Sequence, residues 1–387
     1  MNRGCVVTEP GAPLFPGPQR RHRIHRGLIT DRQEHIFTWI AVVVVLLYVT
    51  AWIGALVEIQ RISKTPSFGE GPPGEEPPPP TENITAQLFG PEAPSAAYLT
   101  DALMGFLYPL RGASGEVRYV PALPGEEVVE KLPGGANVVV DGETSPDFVA
   151  PEESGIYKFA IELNKARRAI DDISIITLVP RSLKRGGRIG SYFLGNWPWE
   201  SGGKPRTPSY APPAGFIEVT PQNRDFAVSE HFHLRDFLTK DQPNVWPKYL
   251  LLSPKLVDKL ELTIQELERM GLRVDHVTVM SGFRTPRYNH SGGNTAGRAN
   301  LSRHMYGDAS DIFVDNDRNG QMDDLNHDGR VDVRDAEMIG RAAERVERAH
   351  PELVGGVGVY TPCCGHGPFT HIDVRGFRAR WRGTGNG

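Results

Sequence analysis

Residues 302–311 read Ser302-Arg303-His304-Met305-Tyr306-Gly307-Asp308-Ala309-Ser310-Asp311. An imidazole and a carboxylate are both ordinary zinc ligands, and here His304 and Asp311 stand seven residues apart with Gly307 between them and small Ala309 close to the acid. A hydrolytic zinc centre uses three protein ligands and leaves one position open, so a third donor has to come from elsewhere in the chain. The sequence offers His371, in Gly367-Pro368-Phe369-Thr370-His371-Ile372-Asp373-Val374, where the β-forming flank fixes the side chain at one point of a strand. Either histidine alone is more commonly a surface or hydrogen-bonded core residue. The combination of three ligand types is what points to a metal.

Working outward, Ser253 and Pro254 suit the start of a helix. Leu256, Leu260, Ile264 and Leu267 then keep one apolar face until Gly271 stops it. A strand is expected over 274–280, running into Ser281-Gly282-Phe283-Arg284-Thr285-Pro286, and a later helix over 336–349. This mixture makes the segment from 221 onward an α+β domain. With Ser281-Gly282-Phe283-Arg284-Thr285-Pro286 and Asn289, the full S-x-H-x-x-G-x-A-x-D pattern of Ser302, His304, Gly307, Ala309 and Asp311, and the closing Phe369 to Val374 stretch, residues 225–382 resemble the zinc D-alanyl-D-alanine peptidases. These share a fold with the hedgehog signalling domain.

The resemblance implies that His304, Asp311 and His371 hold zinc and that Arg284 steadies a substrate carbonyl or its developing oxyanion. It also implies peptidoglycan stem peptides or crosslinks as substrate, leaving terminal trimming (carboxypeptidase) and crosslink cutting (endopeptidase) both open. One departure stands out. Many relatives carry an acid three residues before the last zinc histidine as general base, and this chain has Pro368 there. The replacements in sequence reach are His366 and Asp373, and Asp373 shares the strand face of His371 and is equally suited to support that ligand.

The rest of the chain reads as a multidomain assembly. The uncharged run 36–57 is long enough for a transmembrane helix, and Trp39 and Trp52 stand near its ends. Arg3, Arg20, Arg21, Arg23, Arg26 and Arg32 precede it against Arg61 and Lys64 after it, so 1–35 is expected to be a cytoplasmic tail. The expected localisation is therefore the bacterial inner membrane, single-pass, with the catalytic part extracytoplasmic. A Pro-rich, acidic linker follows over 58–96, with the extended habit of polyproline. Strand-like runs separated by Gly, Pro and Asp turns over 97–220 predict a β-sandwich-like domain, in which Trp197 and Trp199 are candidates for stacking on sugar rings. With 43 Lys and Arg against 47 Asp and Glu, the net charge of −4 provides no basic field, and a nucleic-acid partner is not expected.

The zinc domain, 221–387, carries an acidic insertion over 315–335. Asp324, Asn326, Asp328, Asp332 and Asp335, around the turn glycine Gly329, match the spacing of a calcium loop. Asp315, Asp317, Asn319 and Gly320 begin a similar loop, but its twelfth position is Asn326, already used by the second, so two complete loops cannot coexist. Of the 3 cysteines, Cys363 and Cys364 are adjacent and precede His366; a vicinal disulfide, free thiols and soft metal ligands are all compatible with the sequence. Against the enzyme stands a reading from another class, a non-catalytic cell-wall-binding or scaffolding protein that keeps the peptidase fold, which the missing acid at Pro368 permits.

Overall fold

Alternating and fully apolar β-forming runs dominate the chain beyond residue 116, and strands form there. The computed structural model describes residues 105–384, apart from 130–131, 133–134, 164–165, 206, 293–294, 296–297 and 364–365. Its central feature is a five-stranded sheet in the order Val277–Ser281, Ala309–Val314, Phe369–Asp373, Gly356–Thr361, Ala379–Thr384. All neighbours pair antiparallel except the last two strands, which run parallel. Ala309–Val314 is buried along its whole length, as an inner strand covered on both faces must be.

One face of this sheet receives the helices Pro254–Arg269 and Val333–Ala349, which also pack against each other. Thr370 anchors the contact: its Oγ1 donates to the Ala336 carbonyl at 2.7 Å. The first helix begins with Pro254 at its first position, and Leu256, Leu260, Ile264 and Leu267 are all buried, each contributing about 1.5–3 kcal/mol of gross hydrophobic stabilisation. The second helix starts with a reciprocal cap in which Asp332 accepts from the Arg334 amide and Asp335 accepts from the Asp332 amide. The opposite face of the sheet carries the candidate site.

The 97–220 region corrects the expected architecture. Its strands Tyr119–Ala122, Ala166–Thr177, Gly155–Leu163, Asn137–Val140 and Glu143–Ser145 form a five-stranded sheet in that order, while Glu127–Val129 pairs with Phe148–Val149, Arg188–Ile189 with Tyr192–Phe193 and Val179–Pro180 with Gly215–Val219, so one larger sheet and short pairings stand where two stacked sheets were expected. Phe148, Phe159, Ile161, Ile173 and Ile175 make a core of their own on it. Tyr119, Ile176, Val179, Tyr192, Leu194, Trp197 and Phe216, however, belong to the same continuous core as Leu256, Ile312 and Ile372. No domain boundary therefore falls at 220: the described residues belong to one compact unit, and the multidomain division into a β-sandwich and a separate zinc domain is not what the chain adopts. The physical reason is that residues 179–219 place apolar side chains toward the helix-bearing half, and a small sheet buries more surface by sharing a core than by closing alone. Trp197 is likewise not a sugar platform; it is buried, and its Nε1 donates to the Met305 carbonyl at 2.7 Å.

The membrane reading is corrected as well. Among the described residues no helix is long and apolar enough to cross a membrane. A span needs about 20 apolar residues, whereas the longest described helix, Val333–Ala349, has 17 residues and carries Arg and Glu throughout. The predicted transmembrane segment 36–57, the tail 1–35 and the linker 58–96 lie outside the described residues, and no described helix supports the inner-membrane localisation built on them.

Candidate metal centre

The sheet register assembles the site. Ser281 pairs with Asp311, Asp311 with His371, His371 with Gly358, and Gly358 with Trp381, so five residues from distant parts of the chain line up in one row across the strands. Cross-strand neighbours share a face, which places Asp311 and His371 side by side. Gly358 is what allows the row to close: a Cβ there would meet the Trp381 indole at 2.3 Å. In its absence the indole lies across the strand and its ring centroid comes within 5.1 Å of His371.

His304 reaches the row from a separate element, the 3-10 turn Arg303–Tyr306. The turn ends at Gly307 with φ +69°, where a Cβ would strike the Leu251 carbonyl carbon at 2.4 Å, so glycine is required twice over. Two further bonds hold the turn: the Arg284 amide donates to the His304 carbonyl at 3.1 Å, and the Ser253 amide to the Gly307 carbonyl at 2.8 Å.

The donor atoms converge. His304 Nε2 lies 3.2 Å from His371 Nδ1 and 3.3 Å from Asp311 Oδ1, and His371 Nδ1 lies 2.8 Å from Asp311 Oδ1. The other ring nitrogens fix the tautomers. His304 Nδ1 donates to the Gly282 carbonyl at 2.7 Å, and His371 Nε2 donates to Asp373 Oδ2 at 3.0 Å. With those bonds made, each inward-facing nitrogen can present a lone pair beside the carboxylate oxygen once a metal displaces the proton that Asp311 draws onto His371. Three converging acceptors need a cation. Tetrahedral zinc with bonds of about 2.0–2.1 Å sets its ligand atoms roughly 3.3 Å apart, close to the observed triangle, so the donor set fits that metal.

The surroundings tune these groups. Burial and the Arg284 charge push His304 down to about 4, keeping it neutral. Burial alone would raise Asp311, but His304, His371 and Arg284 outweigh it and hold the carboxylate well below the usual range. Burial likewise opposes charge on His371, yet its bonds to Asp311 and Asp373 leave the ring raised overall.

The remaining predicted residues fall in three places. Arg284 lines the cavity but is committed: its Nη2 donates to Asp311 Oδ2 at 2.6 Å and its Nε to Ser281 Oγ at 2.8 Å, so it orients the Asp311 carboxylate. Asp373 is buried beneath His371 and accepts from the Gly356 amide, the Arg375 amide and the Arg375 guanidinium. Burial would raise its carboxyl, but His371 and Arg375 hold it far below the usual range, and its bond to His371 Nε2 orients that ring. His366 lies outside the metal cavity. It lines a neighbouring one with Lys240, Arg284 and Arg298, its Nδ1 donates to the Gly367 carbonyl at 3.0 Å, and its ring packs edge-on against Phe369. Cys363 is disulfide-bonded, which removes it as a soft ligand.

The predicted calcium loop is tied together by its own hydrogen bonds. Asp324 accepts from the Asp328 and Gly329 amides, and Asn326 Oδ1 accepts from the Asp328 amide. Asp335 spends both oxygens on the Leu325, Asn326 and Asp332 amides, while Asp328 and Asp332 each pair with Arg334 at 2.7 Å. These five side chains are thus engaged with backbone and Arg334, and among the described residues the second close group of carboxylates is instead Asp315, Asp317 and Asp323.

Sequence reasoning missed several residues of the cavity, a space of about 610 Å³ over the donor triangle. Arg298 lines it. Its Nη1 donates to the Tyr288 and Gly292 carbonyls, no acid pairs with it among the described residues, and its buried Nε has no acceptor. By contrast Arg303 is spent on Asp308 and Arg375 on Asp373. Tyr360 also lines the cavity, and its hydroxyl oxygen accepts from Trp381 Nε1 at 2.8 Å, leaving its own proton to donate. No spacing rule marks Arg298 or Tyr360; only the fold brings them to the metal centre. No protein-family model, curated protein or solved structure matches this chain.

Proposed function

We propose that this protein is a zinc-dependent peptidase acting on peptides that end in a carboxylate, with peptidoglycan stem peptides or crosslinks as the substrate class that the sequence motifs suggest. The observation that carries the reading is the triangle of three lone-pair donors, His304 Nε2, Asp311 Oδ1 and His371 Nδ1, held by fixed tautomers and left with one open side toward the cavity.

A zinc ion bound by these residues would supply Lewis acidity and a water of lowered pKa. The chain supplies the rest. The Gly282 carbonyl and Asp373 fix which nitrogen of each histidine faces inward, and Arg284 keeps one Asp311 oxygen turned to the centre. Arg298, with its charge unspent, is suited to bind the substrate carboxylate or the polarised carbonyl, and the Tyr360 hydroxyl can donate to a developing oxyanion. Trp381 and Phe369 make apolar walls that limit water around the reacting bond.

One observation favours the second reading, a metal-holding wall-binding protein. No uncommitted carboxylate or imidazole lines the metal cavity among the described residues, so a general base must come from His366 in the adjoining space or from the substrate itself. One experiment separates the two. Purified protein is assayed for bound zinc and incubated with defined muropeptides, with products read by mass spectrometry. Zinc at one equivalent with cleavage supports the peptidase; zinc with intact muropeptides and retention on isolated wall supports the binding protein.

A further inference from the structure

We infer that Asp315, Asp317 and Asp323 form a second cation site, apart from the His304, Asp311 and His371 centre, and that it takes calcium. One carboxylate oxygen from each of the three lies within 4.8 Å of the others. Asp315 is 2% exposed, and its Oδ1 is buried without any hydrogen-bond donor. Its Oδ2 is already satisfied, by Thr278 Oγ1 at 2.9 Å and the Gly320 amide at 3.2 Å. A buried carboxylate oxygen with no donor is costly, and a cation among neighbouring carboxylates is the partner that removes the cost.

Charge separates this cluster from the rest of the acidic stretch. Among the described residues no Lys, Arg or His makes an ion pair with Asp315, Asp317 or Asp323, whereas Asp328 and Asp332 are neutralised by Arg334. Three carboxylates held this close repel one another unless a positive charge sits between them. The turn is built to hold them so. Arg318 and Gly320 adopt φ of 58° and 81°, the Asp323 amide donates to the Val314 carbonyl at 3.0 Å, and the Asn316 amide to Asp323 Oδ2 at 2.9 Å. Met322 and Leu325 are buried in the main core on either side of Asp323, so its position does not depend on the ion.

The donors are all oxygen, which selects a hard cation over zinc or copper. Asp317 is exposed, so water can complete a large and irregular coordination shell, the habit of calcium more than of magnesium. The site lies at the end of Ala309–Val314, the strand that carries Asp311. A cation there would tie the insertion to the sheet.

The test uses the full chain with zinc bound and calcium chloride as the probe, read by calorimetric titration and by thermal melting. It is independent of hydrolysis, so a protein that cleaves nothing can still pass. Wild type should bind calcium and melt at higher temperature in its presence, since a ligand stabilises the state that binds it. Asp317→Asn and Asp323→Asn should each weaken binding by about tenfold or more, while Asp324→Asn and Asp328→Asn should bind like wild type. Because Asp323 also holds the Asn316 amide, Asp317→Asn, whose side chain bonds only within its own turn, decides if the other variant misfolds. Absence of calcium binding by wild type would overturn the inference. So would loss confined to the Asp324 and Asp328 variants, and equal binding of magnesium would overturn the choice of calcium.

Discussion

Asp373→Asn is the most informative change for the metal centre, because it alters no ligand. Asp373 faces donors on every side: Oδ1 takes the Gly356 amide at 2.7 Å and the Arg375 amide at 3.1 Å, and Oδ2 takes His371 Nε2 at 3.0 Å and the Arg375 guanidinium. An asparagine keeps one acceptor and turns the other into a donor. If its oxygen stays with Gly356 and Arg375, its NH2 faces His371 Nε2, which must give up its proton and accept. The proton then moves to Nδ1, the atom needed for metal. If the amide turns over, its NH2 opposes Arg375 and Gly356 in a buried space. Supporting carboxylates of this kind are commonly worth 10–100-fold in metal affinity, or about 1.4–2.7 kcal/mol. Competition with a chromophoric zinc chelator at constant pH measures it directly, with circular dichroism to verify folding. A folded Asp373→Asn protein with wild-type zinc affinity would refute the tautomer argument.

Other changes probe separate links. Arg298→Ala should leave zinc content unchanged yet cost roughly tenfold or more in kcat/KM on carboxylate-ended peptides, as expected for one charge-assisted contact; steady-state kinetics on free and amidated substrates decide it. Gly307→Ala should destabilise by about 1–3 kcal/mol and weaken zinc, since the new methyl meets Leu251; urea unfolding and metal analysis check both. His231 is raised by its hydrogen bond to Glu261, so its contribution is complete below the unfolded value of 6.5 and disappears as pH climbs through the higher folded value. His231→Gln should therefore lose stability relative to wild type at about pH 5 and converge with it in alkali, as followed by urea midpoints across pH. Lys259→Ala removes a buried ammonium that bonds both Glu347 and the Asp373 carbonyl at 2.7 Å and leaves Glu347 with Arg380 as its remaining cation, a loss of about 1–3 kcal/mol in a denaturant titration.

What the sequence disclosed follows from range. The helix 254–269 and the strand carrying His371 were legible because caps, prolines and apolar spacing are local signals. The convergence of His304, Asp311 and His371 was legible because ligand chemistry restricts residue types so strongly that three motifs single them out. The bond from Arg284 to Asp311 was not legible: nothing local tells that the Ser281–Asp311 register brings the two together. The sandwich reading failed for the same reason, since alternation tells which side of a strand is buried but not against what. The pairing of Arg334 with Asp328 and Asp332 was not legible either, because a motif counts oxygens without counting the cations beside them.

The row from Ser281 to Trp381 also bears on how the molecule comes into being. Its members are spread over a hundred residues of chain, and each sits on the correct side only if every strand has docked in its proper phase. A slip of one residue in Phe369–Asp373 would turn Thr370 and Ile372 outward and drive His371 and Asp373 toward the helices. Metal capture by this trio would consequently be an all-or-nothing report on assembly. A partly zipped chain would have no weaker version of the centre to offer, so a bound ion would stabilise the finished arrangement alone.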